Sequence, residues 1–131
     1  MTNFEKVKHW MQVFKCDVPE SLTEVEESTA ALRLHLIDEE YRELLYAMAF
    51  EGIEQIAKEI ADLLFVVYGA AVNYGIPIDE VFNAVYESNL SKMPPDGVLK
   101  YREDKKILKG DWYKAPDIEG ILKPKVLEAH E

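Results

Sequence analysis

The sequence contains little cysteine, glycine or proline. Cys16 is the only cysteine among 131 residues, which excludes an internal disulfide framework and a zinc site made of several thiolates. Only Pro19, Gly52 and Gly69 interrupt the chain before residue 75. Because glycine and proline are the residues that most often end helices, their scarcity favours a few long helices over many short elements.

Long apolar runs are also absent. The longest one, residues 61–72, contains Asp62 and is shorter than the ~20 residues that a membrane-spanning helix needs. Residues 1–6 do not include the apolar core of a secretory signal. We therefore expect a cytoplasmic protein that has no membrane partner.

Basic side chains are scarce in the first two thirds of the chain. Residues 1–90 hold 17 acidic and 6 basic side chains, residues 91–131 hold 8 acidic and 9 basic ones, and the net charge of the chain is −10. An acidic protein is repelled by the phosphates of nucleic acids and by anionic membranes, so we expect neither as a partner. The asymmetry suggests that the first part binds cations and the second part binds anions.

Hydrophobic periodicity predicts four helices, at residues 3–14, 23–48, 53–74 and 80–91. In the second helix, apolar residues recur with the spacing of a buried stripe; they are Leu34, Ile37, Tyr41, Leu44 and Met48. Asp79 is expected to cap the fourth helix at its N-terminus. From residue 94 the helical period is lost, and residues 100–102 and 106–108 either pair as a short hairpin or belong to an irregular arm.

A chain of this length favours one domain. We predict an all-α domain over residues 1–131, an antiparallel bundle of about four helices over residues 3–93 with an irregular C-terminal arm over residues 94–131. The third helix is apolar on every side between Leu63 and Val72, which is typical of a helix buried on more than one face. The other helices are too few to cover it, so we expect a homodimer or homotetramer to complete the core.

Two pairs of carboxylates border the apolar stripes of the second and third helices. Glu40 and Glu43 are three residues apart, as are Glu59 and Asp62, so each pair lies on one helix face. The connection at residues 50–52 is so short that the two helices must run antiparallel. Glu43 and Glu59 are each seven residues from it, so the two pairs lie at similar height and face each other.

Four carboxylates at one helix interface need a counter-charge. Two like charges about 4 Å apart repel by roughly 4 kcal/mol at an effective dielectric constant near 20. Arg42 and Lys58 are expected to point away from the two faces, so neither neutralises the group. Either pattern alone is common on a solvated acidic helix, but two at matched height favour a hard divalent cation. Oxygen ligands on helices favour Mg²⁺, with Mn²⁺ as a substitute, over Ca²⁺ or Zn²⁺.

The pattern of ExxE at residues 40–43 and ExxD at residues 59–62 resembles the motif of the all-α nucleoside triphosphate pyrophosphohydrolases. These include MazG-like, dimeric dUTPase-like and phosphoribosyl-ATP pyrophosphohydrolase-like proteins. The resemblance covers roughly residues 25–95 and includes the segment Asn89-Leu-Ser-Lys92. The tail around residues 100–117 looks like that of the phosphoribosyl-ATP pyrophosphohydrolase-like branch.

The resemblance implies an Mg²⁺-dependent hydrolysis of a nucleotide between its α and β phosphorus atoms, which yields a monophosphate and pyrophosphate. The residues that it implies as metal ligands are Glu40, Glu43, Glu59 and Asp62. Glu39, the spare carboxylate beside them, either completes the ligand set or acts as the catalytic base that deprotonates the attacking water. The residues that it implies as substrate-binding are Asn89, Lys92 and Lys109.

The substrate stays open between dUTP, other ordinary or damaged triphosphates, and phosphoribosyl-ATP. We expect a house-cleaning enzyme acting on (deoxy)nucleoside triphosphates, because the domain stands alone and the resemblance is broad. The alternatives are the phosphoribosyl-ATP reaction of histidine biosynthesis and a non-enzymatic helical oligomerisation module. A ferritin-like di-iron bundle is not supported, because no histidine lies three residues after a glutamate.

Overall fold

The structure, a computed structural model, describes residues 1–123, and this part of the chain is helical. Its longer helices are α1 (Asn3–Val13), α2 (Glu27–Phe50), α3 (Ile53–Tyr74) and α4 (Ile78–Leu90). A short helix, α5, covers residues 118–123. The prediction of an all-α helical bundle is confirmed, and residues 124–131 of the predicted arm lie outside the described residues.

Helix α1 begins and ends within one residue of its predicted bounds. Thr2 and Glu5 form a capping box at its start: the Glu5 amide donates to Thr2 Oγ1 at 3.1 Å, and the Thr2 amide donates to Glu5 Oε1 at 2.8 Å. These bonds satisfy two amides that the helix itself leaves without partners. At the other end Lys15 adopts a φ of 58°, which stops the helix.

Helix α2 begins at Glu27 and ends at Phe50, so the prediction of residues 23–48 was wrong at both ends. The Thr23 amide donates to the carbonyl of Tyr74 at 3.1 Å. That contact, between residues far apart in the sequence, holds the segment before α2 out of the helix. Helix α3 covers residues 53–74 as predicted.

The turn between α3 and α4 depends on Gly75. Its φ is 66°, in the left-handed region, and a Cβ at this position would collide with the Ser21 carbonyl. Helix α4 begins at Ile78, after Pro77, so the prediction that Asp79 caps it was wrong. Proline presets a helix-compatible φ, which lets the helix begin earlier. Asp79 lies in the first turn and accepts a hydrogen bond from Thr2 Oγ1 at 2.8 Å.

Helices α2 and α3 pack against each other along an antiparallel hairpin, the α2–α3 hairpin, and α1 packs against α3. The buried core is small and joins Val7 and Met11 of α1 to Val72 of α3. Helix α4 shares no comparable interface with the other three helices. Helices α1, α2 and α3 therefore pack together, whereas α4 makes few contacts with them.

Helix α4 is held by the C-terminal arm instead. Ser88 Oγ donates to the Lys114 carbonyl at 2.7 Å, and Trp112 Nε1 donates to the Lys92 carbonyl at 2.7 Å. Within the arm, Tyr101 and Ile107 form an antiparallel bridge, so of the two alternatives for these residues a minimal hairpin is present, within an otherwise irregular arm. Residues 78–123 are called the α4–arm lobe below.

Large apolar side chains remain exposed on both parts. Leu34 on α2 is 72% exposed and Phe82 on α4 is 67% exposed. Among the described residues no single helix is long and apolar enough to cross a membrane; α3 and α4, bent by 117°, reach that length and composition only as a pair.

Candidate metal centre

Three carboxylates converge where α2 faces α3. Glu40, Glu43 and Glu59 each offer an oxygen, and the three oxygens lie within 4.8 Å of one another. Glu40 and Glu43 are one helical turn apart on α2, and the short connection at residues 51–52 brings Glu59 of α3 to their height. Three of the four carboxylates in the sequence pattern thus meet at one point.

The centre is partly buried and incompletely hydrogen-bonded. Glu59 is only 4% exposed, and its Oε1 accepts a hydrogen bond from Gln55 Nε2 at 2.6 Å. Glu59 Oε2 and Glu40 Oε2 are buried and have no hydrogen-bond partner. A buried carboxylate oxygen without a donor is costly unless a cation approaches it. The donor set, all carboxylate oxygen, fits a hard divalent cation such as Mg²⁺.

The electrostatics of Glu40 reflect this crowding. Burial raises the pKa of Glu40, and the charges of Glu43 and Asp62, a hydrogen bond with Glu43 and the charge of Glu59 raise this pKa further. With no cation nearby, Glu40 therefore retains a proton more readily than an ordinary glutamate does. A bound divalent cation has the opposite effect, because it stabilises the ionised carboxylate.

Asp62 lies beside the three carboxylates rather than among them. Its Oδ2 is 2.6 Å from Lys58 Nζ, which is also 3.6 Å from Glu59 Oε1. The hydrogen bond to Asp62 raises the pKa of Lys58. The prediction that Lys58 points away from the centre was therefore wrong: its long stem reaches residue i+4 on its own helix. Arg42 pairs with Asp38 at 3.0 Å instead.

Glu39 lies outside the three-carboxylate group. Its Oε2 is 3.3 Å from His35 Nε2, and both side chains are largely exposed. Successive residues of a helix differ by about 100° in direction, so Glu39 and Glu40 present different faces. Glu39 thus lies within reach of a histidine one turn earlier on α2.

The structure does not bring the three candidate substrate-binding residues to the carboxylates of the same chain. Within residues 1–123, no hydrogen bond or ion pair joins Asn89, Lys92 or Lys109 to the centre. The Lys92 carbonyl accepts the Trp112 indole N–H, and Lys109 Nζ lies 4.8 Å from the centre of the Tyr113 ring. All three belong to the α4–arm lobe.

Sequence reasoning missed several neighbours of the centre. A cavity of about 360 Å³ opens beside Glu43 and Glu59 and is also lined by Arg42, Tyr46 and Glu51. Gln55, which hydrogen-bonds Glu59, was also missed, although its position one turn before Glu59 was a usable indication. Tyr46 was not singled out because an aromatic residue on a helix is most often part of a core.

The family comparison agrees with this geometry. A family model described as phosphoribosyl-ATP pyrophosphohydrolase matches residues 4–89, a range that includes α1, α2 and α3, nearly all of α4 and the three converging carboxylates. A comparison with curated proteins finds no match. The resemblance noted in the sequence is confirmed, and the activity that the family indicates is pyrophosphohydrolysis of a nucleotide. This chain belongs to the phosphoribosyl-ATP pyrophosphohydrolase family.

Proposed function

We propose that this protein is an Mg²⁺-dependent pyrophosphohydrolase that cleaves the α–β phosphoanhydride of a nucleoside triphosphate, releasing a monophosphate and pyrophosphate. The observation that carries the proposal is the group of three carboxylates within 4.8 Å, two of whose oxygens are buried without a donor. A partly buried group of this kind is better explained by a cation than by folding alone, because it destabilises the metal-free fold.

Glu40, Glu43 and Glu59 are the residues that would hold the metal. When bound, Mg²⁺ supplies a Lewis acid that neutralises charge on the phosphate oxygens, and Mn²⁺ is expected to substitute for it. Asp62 lies at the edge of the centre, where its contact with Lys58 keeps it oriented. Asp62 is available as a fourth ligand once that contact opens.

Glu39 fits the role of catalytic base better than that of ligand. It lies outside the three-carboxylate group, and His35 lies 3.3 Å from its carboxylate. In this role it accepts the proton of the attacking water as the water oxygen bonds to phosphorus and the bridging oxygen leaves with the other phosphate. Its exposure lets it release that proton to solvent afterwards.

The functional unit is proposed to be a homodimer or homotetramer. The chain exposes many large apolar side chains, and a large exposed apolar surface is typical of a protein interface. The exposed apolar face of α4 includes Phe82, Tyr86 and Leu90. In such an assembly Asn89, Lys92 and Lys109 approach the carboxylates of a neighbouring copy.

Two substrate classes remain, and both present the same triphosphate to the metal. A (deoxy)nucleoside triphosphate such as dUTP is the first, in a house-cleaning role. Phosphoribosyl-ATP is the second, and the matching family model favours it. Cytoplasmic localisation is part of the proposal, since both substrates are intracellular metabolites.

The test is pyrophosphate release from a panel containing each deoxynucleoside triphosphate, dUTP, ATP and phosphoribosyl-ATP, with Mg²⁺, with Mn²⁺ and with excess chelator. We expect release with at least one substrate, a monophosphate as the second product, and loss of release in chelator. Release that persists in chelator would contradict the metal site. If no compound in the panel releases pyrophosphate, the result would favour the non-enzymatic oligomerisation module.

A further inference from the structure

Gln55 on α3 directs its side chain to the metal centre. Its Nε2 donates to Glu59 Oε1 at 2.6 Å, and within residues 1–123 this is the only hydrogen bond of the Gln55 side chain. Gln55 is half-buried, whereas Glu59 is only 4% exposed. Because few donors reach a carboxylate that is so deeply buried, the amide of Gln55 determines which of the two Glu59 oxygens is engaged.

The position of Gln55 in the sequence would also suit a different role, that of a helix cap. It is the third residue of α3, where a glutamine side chain commonly turns back to accept a hydrogen bond from the backbone amide of the residue before the helix. That residue is Gly52, which has no side chain to complete a capping box. In the described part of the chain the Gln55 amide instead reaches forward by one turn to Glu59. Its contact therefore stabilises the orientation of Glu59 rather than the start of α3.

The two carboxylate oxygens of Glu59 have different surroundings. Both nearby donors approach Oε1, since Gln55 Nε2 is 2.6 Å away and Lys58 Nζ is 3.6 Å away. Oε2 is buried and has no hydrogen-bond partner, and the same is true of Glu40 Oε2 across the helix interface. A carboxylate that is held through one oxygen thus keeps its other oxygen free for a cation.

The donor supplied by Gln55 is uncharged. A lysine or arginine in the same place would compensate the negative charge of Glu59, whereas an amide orients the carboxylate and leaves its charge available to a cation. Lys58 is the charged neighbour, but its side chain is 62% exposed and its distance of 3.6 Å from Glu59 Oε1 is longer than a hydrogen bond. The closest donor to Glu59 is therefore one that does not compete with a metal ion.

We propose that Gln55 is a positioning residue of the metal centre, which holds Glu59 Oε1 and so keeps Glu59 Oε2 available to a divalent cation. Residues that hydrogen-bond a metal-ligating carboxylate typically change the affinity for the metal about 10- to 100-fold. The inference rests on the proposed function and adds to it a residue outside the ExxE and ExxD pattern. Because Gln55 acts on a ligand and not on the substrate, it sets the affinity for the metal and leaves the turnover of the metal-saturated enzyme nearly unchanged.

The experiment measures the binding of Mn²⁺ to the full chain without nucleotide, from the electron paramagnetic resonance signal of the free ion. Gln55→Met removes the donor, keeps the length of the side chain, and is expected to raise the Kd for Mn²⁺ about 10- to 100-fold. Gln12→Met is the matched control, because it makes the same exchange at an exposed position of α1 and should change the Kd less than about twofold. With a nucleotide that the wild type hydrolyses, the Mg²⁺ concentration giving half the maximal rate should rise for Gln55→Met, and kcat at saturating Mg²⁺ should not change.

Two results would overturn the inference and leave the proposed function intact. One is an unchanged Kd for Mn²⁺ in Gln55→Met, with or without a lower melting temperature of the metal-free protein, which is the result expected of a residue that merely supports α3. The other is a lower kcat at saturating Mg²⁺ with an unchanged Kd, because the side chain would then act on the substrate. If Gln55→Met does not fold, Gln55→Asn, whose amide is set back by one methylene group, is judged by the same Kd. If the wild type binds no Mn²⁺, the proposed function and the inference both fail.

Discussion

The α2–α3 hairpin and the α4–arm lobe are incomplete in opposite ways. The hairpin, residues 27–74, has a net charge of −6, and the lobe, residues 78–123, has a net charge of −1. In the hairpin the helices are packed together, but carboxylate oxygens of Glu40 and Glu59 have no partner. In the lobe the polar groups of Ser88 and Trp112 are hydrogen-bonded, but the apolar face of α4 is exposed to solvent.

The difference shows which kind of ligand each part needs. The carboxylates of the hairpin lack a counter-charge, which a cation supplies, and the cation can then bind a phosphate. The apolar face of α4 lacks packing contacts, which another protein surface supplies. We therefore propose that the hairpin holds the metal and that the apolar face of the lobe mediates assembly. Each experiment below changes one part and measures whether the other responds.

The largest effect is expected from Glu43→Gln, which removes one charge from the metal centre and keeps the shape of the side chain. We expect kcat/KM to fall on the order of 100-fold or more, because the Mg²⁺ that polarises the phosphates is lost. Circular dichroism and oligomeric mass should be unchanged. Glu54→Gln, an exposed change on the first turn of α3, is the matched control, and an equal loss of activity there would contradict the assignment.

A second effect is expected from Phe82→Glu in the lobe. A charge in the apolar face of α4 should prevent the proposed assembly, so analytical ultracentrifugation should show the wild type at twice 15.1 kDa or more and the variant at a smaller mass. Val98→Glu places the same charge at a similarly exposed apolar position outside this face. If the wild type sediments as a monomer, the exposed face has some other partner.

A third effect concerns stability in the presence of Mg²⁺. At 100 times its dissociation constant the metal should stabilise the fold by about 2.7 kcal/mol, measured as a shift of the melting temperature. Glu40→Gln should lose this shift because a ligand is missing. Glu39→Gln should keep the shift and lose activity if Glu39 is the base, whereas loss of both would make it a ligand.

The smallest effect is the pH dependence of the metal-free protein. The pKa of Glu40 is raised in the folded state above the ordinary value of 4.5, so the folded state binds this proton more tightly than the unfolded state does. The resulting stabilisation is complete below pH 4.5 and is lost as the pH rises through the raised pKa. Denaturant titrations should show this slope as the difference between the wild type and Glu40→Gln, and saturating Mg²⁺ should abolish it.

Much of the hairpin could be predicted because its determinants are local in sequence. Glycine and hydrophobic periodicity gave the bounds of α3, and the equal spacing of Glu43 and Glu59 from the turn gave their proximity. Contacts between distant segments could not be read in this way. The later start of α2 depends on the bond from Thr23 to Tyr74, which no local pattern contains.

The side-chain contacts within the site could be predicted only in part. The pairing of Lys58 with Asp62 was indicated by their i, i+4 spacing, although Lys58 was expected to point away from the site. His35 pairs with Glu39, but this pairing is one of several rotamers open to two exposed side chains. The separation of α4 from the hairpin depends on the geometry of one turn, and hydrophobic periodicity does not predict the angle between two helices.

That turn has a consequence for how the protein behaves in dilute solution. Gly75 bends the chain so that α3 and α4 diverge by 117°, which keeps α4 from folding back along its own hairpin. If Asn89 and Lys92 serve the centre of a neighbouring copy, then the encounter of two molecules becomes a step in building each active site. Specific activity should then fall when the enzyme is diluted below the dissociation constant of the assembly. This fall should lag behind the dilution step, because the assembly takes time to dissociate.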